Sequence, residues 1–351
     1  MTSSSTRYRI GILGTGGLAT RIARMLLRSR QWCDIVLCAL PWEEGGGADV
    51  ESLLASHAPV GTGVVRIGRL EDLADARVLL LAWDPVVDDA DVDLIGEARC
   101  PGAGHAHTLS AHPVVGRAVH SGLPGLIRDL DAAVPEGVLV MVTEPVDLLT
   151  MRVQDLSRRA SARVLGTGTL PNSLHVQQLL GRYYRVDPRS VYVHVLGAHV
   201  LAEVPLWSQA LVGGHPIVRG KVLGRTFDAE EMGAMVAASQ VHVYRAMQGR
   251  EDSFAAAECR GEVGGPVHAV VRAVADIVES ILYDQRRVLT VSMRLTGTLG
   301  LSGMCLSLPG VVGADGLDGH ILPHLADPEE QALREAGDLV ANAGQRVMVG
   351  Q

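Results

Sequence analysis

Lysine is all but missing from this chain of 351 residues. Lys221 is the only one, and arginine carries the rest of the positive charge. That skew reads as the mark of a GC-rich genome. Basic residues number 31 against 39 acidic ones, a formal net charge of −8. An acidic balance argues against nucleic acid or an anionic membrane surface as the main partner. Cysteine is sparse and unpaired: five residues, at 33, 38, 100, 259 and 305, form no C-x-x-C pair. An odd number without that spacing points to reduced thiols and a cytoplasmic setting, not a disulfide frame. Residues 1–8 are polar and lack the apolar core of a secretory signal. No apolar run reaches the length of a membrane span, and there is no internal repeat or low-complexity tract.

What is present suits a globular protein with ample core. Apolar residues make up 47% and charged residues 20%. The length suits two closely joined domains. A short tail (1–8), expected to be disordered, precedes a nucleotide-binding unit at 9–165 and a second unit at 166–351. The boundary follows from a change of motif, since no flexible linker marks it.

Arg9 to Leu27, RIGILGTGGLATRIARMLL, reads as an apolar strand, a glycine turn and an amphipathic helix. The turn Gly14-Thr15-Gly16-Gly17-Leu18-Ala19 has the G-x-G-x-x-A form of a dinucleotide fingerprint in its required strand–turn–helix setting. Gly14 permits the tight turn, Gly16 lets backbone approach a pyrophosphate, and Ala19 allows close helix–strand packing. The alternative is a purely structural turn of the same shape. The second strand, DIVLCAL (34–40), should end in an acid for the adenosine ribose, yet the matching position is Ala39. Glu43 or Glu44 can substitute after a register shift. Both would repel a 2′-phosphate, and no arginine or lysine lies between Arg30 and Arg66 to attract one, which favours NAD over NADP. Trp42 either covers the adenine or packs into the protein.

Farther on, 68–83 reads as a short helix and the fourth parallel strand, 114–130 as a helix, and 137–142 as a buried strand. Residues 151–163 read as another short helix. The segment 84–110 is acid-rich and then contains Arg99, His105 and His107, with His112 just beyond. The H-x-H spacing invites a metal, but no cysteine or carboxylate pattern completes a ligand set. A polar lid and no metal is the reading adopted. Helices are expected over 228–250, with Asp228 as N-cap, over 266–284 and over 327–343, with antiparallel strands over 288–312. The apolar face of 266–284 fits an interior or a subunit interface.

The stretch 164–208 organises the chemistry. G-T-G-T at 166–169 leads into a helix with Ser173 as a plausible N-cap, and SVYVHVLGAH reads as a strand ending on His199. Asn172, His175 and His199 thereby converge on one cleft. His199 alone has an ordinary pKa suited to proton transfer near neutral pH. The alternative for it is a structural histidine at a strand end.

These segments resemble the lactate/malate dehydrogenase family. The resemblance is carried by G-T-G-T, by V-L-G-A-H ahead of E-V-P-L-W-S, and by VMVTEPVDLL at 140–149. It extends through VLTVSMRLTGTLG (288–300) and CLSLPGVVGADGLDG (305–319), from about Arg9 to about Val340. It implies an α/β fold: an N-terminal Rossmann doubly wound parallel sheet followed by an α+β C-terminal substrate domain. It also implies NAD-dependent hydride transfer to a small-molecule substrate, a homodimer or homotetramer, and an X–Pro bond at 144–145 that is often cis. Matched position by position, His199 is the acid/base, and His175 stands for the arginine that grips a substrate carboxylate. Asn172 stands for the aspartate that orients the histidine, and Glu144 for the asparagine on the reacting oxygen. For the lid arginine only Arg99 is available, in no assignable register. Thr143 and Thr167 fall by the nicotinamide.

The replacements have physical consequences. His175 cannot reproduce a bidentate arginine–carboxylate bond, a charge-assisted contact worth about 1.5–3 kcal/mol. Asn172 can hydrogen-bond the ring of His199 but brings no charge to balance an imidazolium. In the Ser-His-Asp template the Asp-to-Asn change costs about four orders of magnitude in rate. Glu144 repels a developing oxyanion unless protonated. The expectation is an oxidoreductase for a hydroxy/oxo or amino/imino substrate other than plain lactate or malate, in specialised biosynthesis. The alternative is a non-redox enzyme or a ligand-binding protein on the same scaffold.

Overall fold

The computed structural model describes residues 8–29, 33–43, 63–84, 117–218, 221–247 and 266–349. The first half alternates strand and helix: β1 (Tyr8–Leu13), α1 (Gly17–Ser29), β2 (Cys33–Cys38), β3 (Val64–Ile67), β4 (Ala76–Leu81), α2 (Arg117–Ala133), β5 (Val138–Met141), α3 (Val146–Leu156) and β6 (Val164–Gly166). The second half begins with α4 (Leu170–Tyr184), β7 (Val191–Tyr192), β8 (Val195–Ala198) and β9 (Ala202–Pro205). Two short hairpins follow, β10 (Leu211–Val212) with β11 (His215–Pro216) and β12 (Lys221–Val222) with β13 (Arg225–Thr226). Then come α5 (Ala229–Met247), α6 (Pro266–Leu282), β14 (Arg287–Thr296), β15 (Ser302–Gly313), β16 (Gly316–His320) and α7 (Asp327–Val349).

β1 to β6 are parallel and lie in the order 3-2-1-4-5-6, the arrangement of a doubly wound dinucleotide fold. Antiparallel β14, β15, β8 and β9 extend the same sheet beyond β6, and β16 pairs with β15. Strands buried on both faces must be apolar throughout, which is why Leu79, Leu80 and Leu81 of β4 and all of β5 are buried. The order reverses between β1 and β4, and a ligand crevice is expected at the carboxyl ends of those two strands. Gly14 and Asp84 stand there.

α1 lays Leu18, Ala19, Ile22, Ala23 and Leu26 on the sheet at helical spacing, all buried. α6 packs on α1, α4 and α5 within the chain. Its apolar face is therefore interior, and the interface alternative is not needed to explain it. Asp228 caps α5, its Oδ1 accepting from the N–H groups of Glu230 and Glu231 at 3.0 Å. Several local expectations need correction. α4 starts at Leu170 after Thr169, so Ser173 lies within its first turn, where its hydroxyl donates back to the Thr169 carbonyl. The short helix expected at 151–163 is α3, which starts at Val146, five residues earlier. The terminal helix runs on to Val349. Within the described residues no helix is long and apolar enough to cross a membrane.

Candidate active site

Four elements meet around His199. β8 ends at Ala198, and a tight turn through His199, Val200 and Leu201 leads into β9, with Ala198 opposite Ala202 and Gly197 opposite Glu203. Side chains two apart on a strand share a face. Glu203 is thus carried back toward His199, although four residues separate them. Val200 takes a left-handed φ of 68° in this turn, a strained state for a β-branched residue. Such a conformation persists only where surrounding contacts hold it. Here the Val200 N–H reaches Glu203 Oε1 at 3.3 Å, and the His199 N–H reaches Asp147 Oδ2 at 2.8 Å.

His199 lies between two carboxylates. Nδ1 is 2.9 Å from Glu203 Oε1, and Nε2 is 2.8 Å from Glu144 Oε1. The Glu144 contact lies off the N–H axis, so it is an ion pair without a well-directed hydrogen bond. All three side chains are buried. Burial by itself pushes the imidazolium down, but the charge of Glu144, with Glu203 behind it, overrides that and holds His199 well above 6.5.

This corrects the expectation for Asn172. Its amide does not hold the ring. Its Nδ2 donates to Glu203 Oε1 at 2.9 Å. The orienting carboxylate is Glu203, which supplies the negative charge thought missing. Asn172, on α4, braces that carboxylate instead. Asp147 is the other residue that motif reading passed over. It accepts the His199 N–H on one oxygen and the Ser292 and Ser307 hydroxyls on the other, at 2.6 and 3.2 Å. Burial raises its pKa to about 6 despite those bonds. Glu144 precedes Pro145 across a cis peptide, as the resemblance implied. His175, on α4 one turn from Asn172, is buried. Arg99, His105, His107, His112 and Glu44 lie outside the described residues. Among the described residues no group of three His, Cys, Asp or Glu could hold a metal ion.

At the glycine turn, Gly14 has φ +136°, and an added Cβ would lie 2.2 Å from the Ala82 carbonyl oxygen. Thr15 donates its N–H to Glu43 at 3.0 Å and its hydroxyl to the same carboxylate at 3.2 Å. Glu43 thereby stands by the turn in place of an acid at Ala39, which is exposed. The N–H groups of Gly17 and Leu18 donate to the Asp84 carboxylate, at 2.7 and 2.9 Å. Trp42 is buried, edge-on to Trp83 with centroids 5.6 Å apart and against Gly122. Of its two readings, packing is the one observed.

A profile of the lactate/malate dehydrogenase alpha/beta C-terminal domain matches residues 172–343. A relative named L-lactate dehydrogenase from Salinibacter ruber is 31% identical over 344 residues, covering 98% of this chain and 99% of that protein. The chain belongs to the lactate/malate dehydrogenase family. Another L-lactate dehydrogenase, from Thermus aquaticus, is 28% identical, with 95% of this chain and 98% of that protein covered. Among solved structures, the minor L-lactate dehydrogenase of Enterococcus mundtii in its ligands-unbound form superimposes with a TM-score of 0.74 at 21% identity, over 97% of this chain and 98% of that one. A lactate dehydrogenase enzyme from a Medee basin deep-sea metagenome gives 0.75 at 18% identity, over 97% and 99%. At such identities the structures attest the fold alone.

The family implies a nicotinamide dinucleotide, and the residues fit one at several points. The glycine turn presents backbone N–H groups at the end of a helix and already holds carboxylates, a stand-in for phosphate oxygens. Thr167 is fully buried, and its Oγ1 has no hydrogen-bond partner among the described residues. An unpaired buried hydroxyl costs about 1–3 kcal/mol, so a ligand that supplies a partner there is favoured. Thr143, by contrast, is already engaged with the Trp83 carbonyl at 2.7 Å.

Proposed function

We propose that this family member is an NAD-dependent oxidoreductase that interconverts a hydroxy/oxo or amino/imino group on a small substrate other than plain lactate or malate. Gly14, Thr15, Gly16, Gly17 and Leu18 would hold the dinucleotide pyrophosphate, and Glu43, beside Ala39, would turn from the Thr15 N–H to the adenosine ribose. Thr167, with Thr143 behind it, would face the nicotinamide. When bound, that ring supplies or accepts the hydride. The carboxylate of Glu43 favours NAD over NADP, because it repels a 2′-phosphate.

The observation that carries this reading is the Glu203–His199–Glu144 array. An imidazole between two carboxylates, which shift its pKa upward, favours the protonated form that a general acid needs. During reduction, His199 gives its Nε2 proton to the oxygen or nitrogen of the reacting double bond, and Glu203 steadies the ring through Nδ1. Glu144 stands beside Nε2 as an acceptor, so the favoured substrate presents an N–H or O–H to it. An α-carboxylate would meet Glu144 without the arginine that His175 replaces. Asn172 and His175 line the pocket, and Arg99 is the remaining candidate for a lid contact.

The same reading includes a cytoplasmic homodimer or homotetramer that acts in specialised biosynthesis without nucleic acid or membrane. It also includes a division of the chain near residue 165. A second reading, a non-redox enzyme or a ligand-binding protein, draws support from Asp84, which sits on the turn that a pyrophosphate would use. The test is turnover of NADH with paired oxo and imino substrates, with and without an α-carboxylate. Oxidation of NADH by uncharged oxo or imino compounds, abolished in His199→Ala, is the expected result. Activity confined to pyruvate or oxaloacetate would overturn the substrate assignment. Silence toward every pair would favour the second reading.

A further inference from the structure

Asp84 follows the last residues of β4, at the point where the strand order reverses, and its side chain crosses to the start of α1. There both carboxylate oxygens are used: Oδ2 accepts from Gly17 N–H at 2.7 Å and Oδ1 from Leu18 N–H at 2.9 Å. These are the first free donors of a 13-residue helix, where the backbone dipole favours negative charge. Gly16 is part of the same arrangement. A Cβ built on it would lie 2.3 Å from Asp84 Oδ2, so the acid fills the space that the missing side chain leaves open. Glu43 takes the Thr15 N–H beside it. A glycine turn that should offer bare N–H groups to an anion has them satisfied by acids of its own chain.

We infer that Asp84 is an internal competitor for the phosphate seat, so that a dinucleotide binds only by displacing its carboxylate from Gly17 and Leu18. The inference rests on the nucleotide-binding reading above for its biological meaning, but the competition is a property of the turn itself. An entering pyrophosphate gains no net donor from Gly17 or Leu18 until Asp84 leaves, and it meets like charge while Asp84 remains. Removing that charge raises affinity for any diphosphate that uses the turn.

The experiment compares wild type, Asp84→Asn and Asp84→Gly by calorimetric titration with NADH and, separately, with inorganic pyrophosphate. Emission of Trp83 and Trp42 serves as a second readout, since Trp83 adjoins Asp84. Circular dichroism and thermal melting check that each variant is folded. Asn keeps an acceptor for the helix N-terminus and guards against loss of the cap in Gly. The expected result is a gain of about tenfold or more for both ligands in Asp84→Asn, the scale of a helix-end charge effect joined to the loss of repulsion. A gain for pyrophosphate while NADH binds neither protein would uphold the competition and remove the redox reading. Affinities within twofold of wild type for both ligands in both folded variants would overturn the inference. NADH binding by wild type would then decide the redox reading independently.

Discussion

Two acids, one beside His199 and one at the glycine turn, use the same device to opposite effect. At the proposed catalytic end Glu203 reaches back across the β8–β9 turn to His199 Nδ1 and is braced by Asn172. At the cofactor end Asp84 reaches across from β4 to the N–H groups of Gly17 and Leu18 and occupies a place that a ligand would use. One holds the histidine in place, and the other occupies the donors of the turn it touches. A carboxylate in a buried, donor-rich corner is held firmly wherever it enters the chain. Whether it helps or hinders depends on which donors it takes.

The comparison breaks most decisively at Glu203. Its Oε1 receives His199 Nδ1, Asn172 Nδ2 and the Val200 N–H. Glu203→Ala leaves a buried imidazolium with one carboxylate and strands an amide. We expect a stability loss of about 3–5 kcal/mol by urea denaturation and a rate loss of about a hundredfold or more. Glu203→Gln should keep the fold better yet still lose the rate. If the Gln variant retains full turnover, Glu203 is only a packing residue.

Gly14→Ala tests the cofactor end. With φ at +136° and the Ala82 carbonyl oxygen 2.2 Å from the new Cβ, the turn must move. A cost of at least about 1–3 kcal/mol in unfolding free energy is expected, along with weaker NADH binding. Unchanged stability would show that the turn is softer than its contacts indicate.

Charge at the catalytic end can be sharpened with Glu144→Gln. His199 is held well above 6.5, so its contribution to stability is complete below 6.5 and fades as pH rises through the folded-state value. Removing Glu144 brings that value down. The alkaline fall in stability, and the alkaline limb of kcat/KM, should both move toward lower pH. Coincident profiles for variant and wild type would mean that Glu203 alone sets the ionisation.

The smallest effect is expected at Ser292→Ala, which removes one donor to Asp147. A loss of about 1 kcal/mol follows from one hydrogen bond. Burial has raised Asp147 to about 6, so its stabilising protonated form is complete below the ordinary value of 3.8 and is lost as pH rises through about 6. Without Ser292 the value rises further, and the decline should extend to higher pH in denaturation curves.

Much of the fold was legible because its signals are local. The strand–turn–helix at 8–29 follows from apolar spacing and from Gly14. α5 follows from its Asp228 cap, and α6 from its apolar face. His199 was legible from its place after Gly197 and Ala198. Glu203 was within reach of reading as well, since a three-residue turn after Ala198 sets Ala202 opposite Ala198 and Glu203 opposite Gly197, on the face that His199 shares. It was missed because Asn172 already filled the expected position. Arg99 and the histidines at 105, 107 and 112 lie outside the described residues.

By itself, the amino-acid order determined the alternation of elements, the glycine turn and the place of His199 at a strand end. Each depends on side-chain type and on spacing within a few residues. Only the tertiary structure decided which carboxylate serves which donor. Asp84 and Gly17 are 67 residues apart, and Asp147 and Ser292 are 145 apart. Hydrogen bonds act over about 3 Å in space and carry no trace in local periodicity. The partners of the imidazole and of the turn were therefore set by how β1, β4, β8 and β14 come together in one sheet.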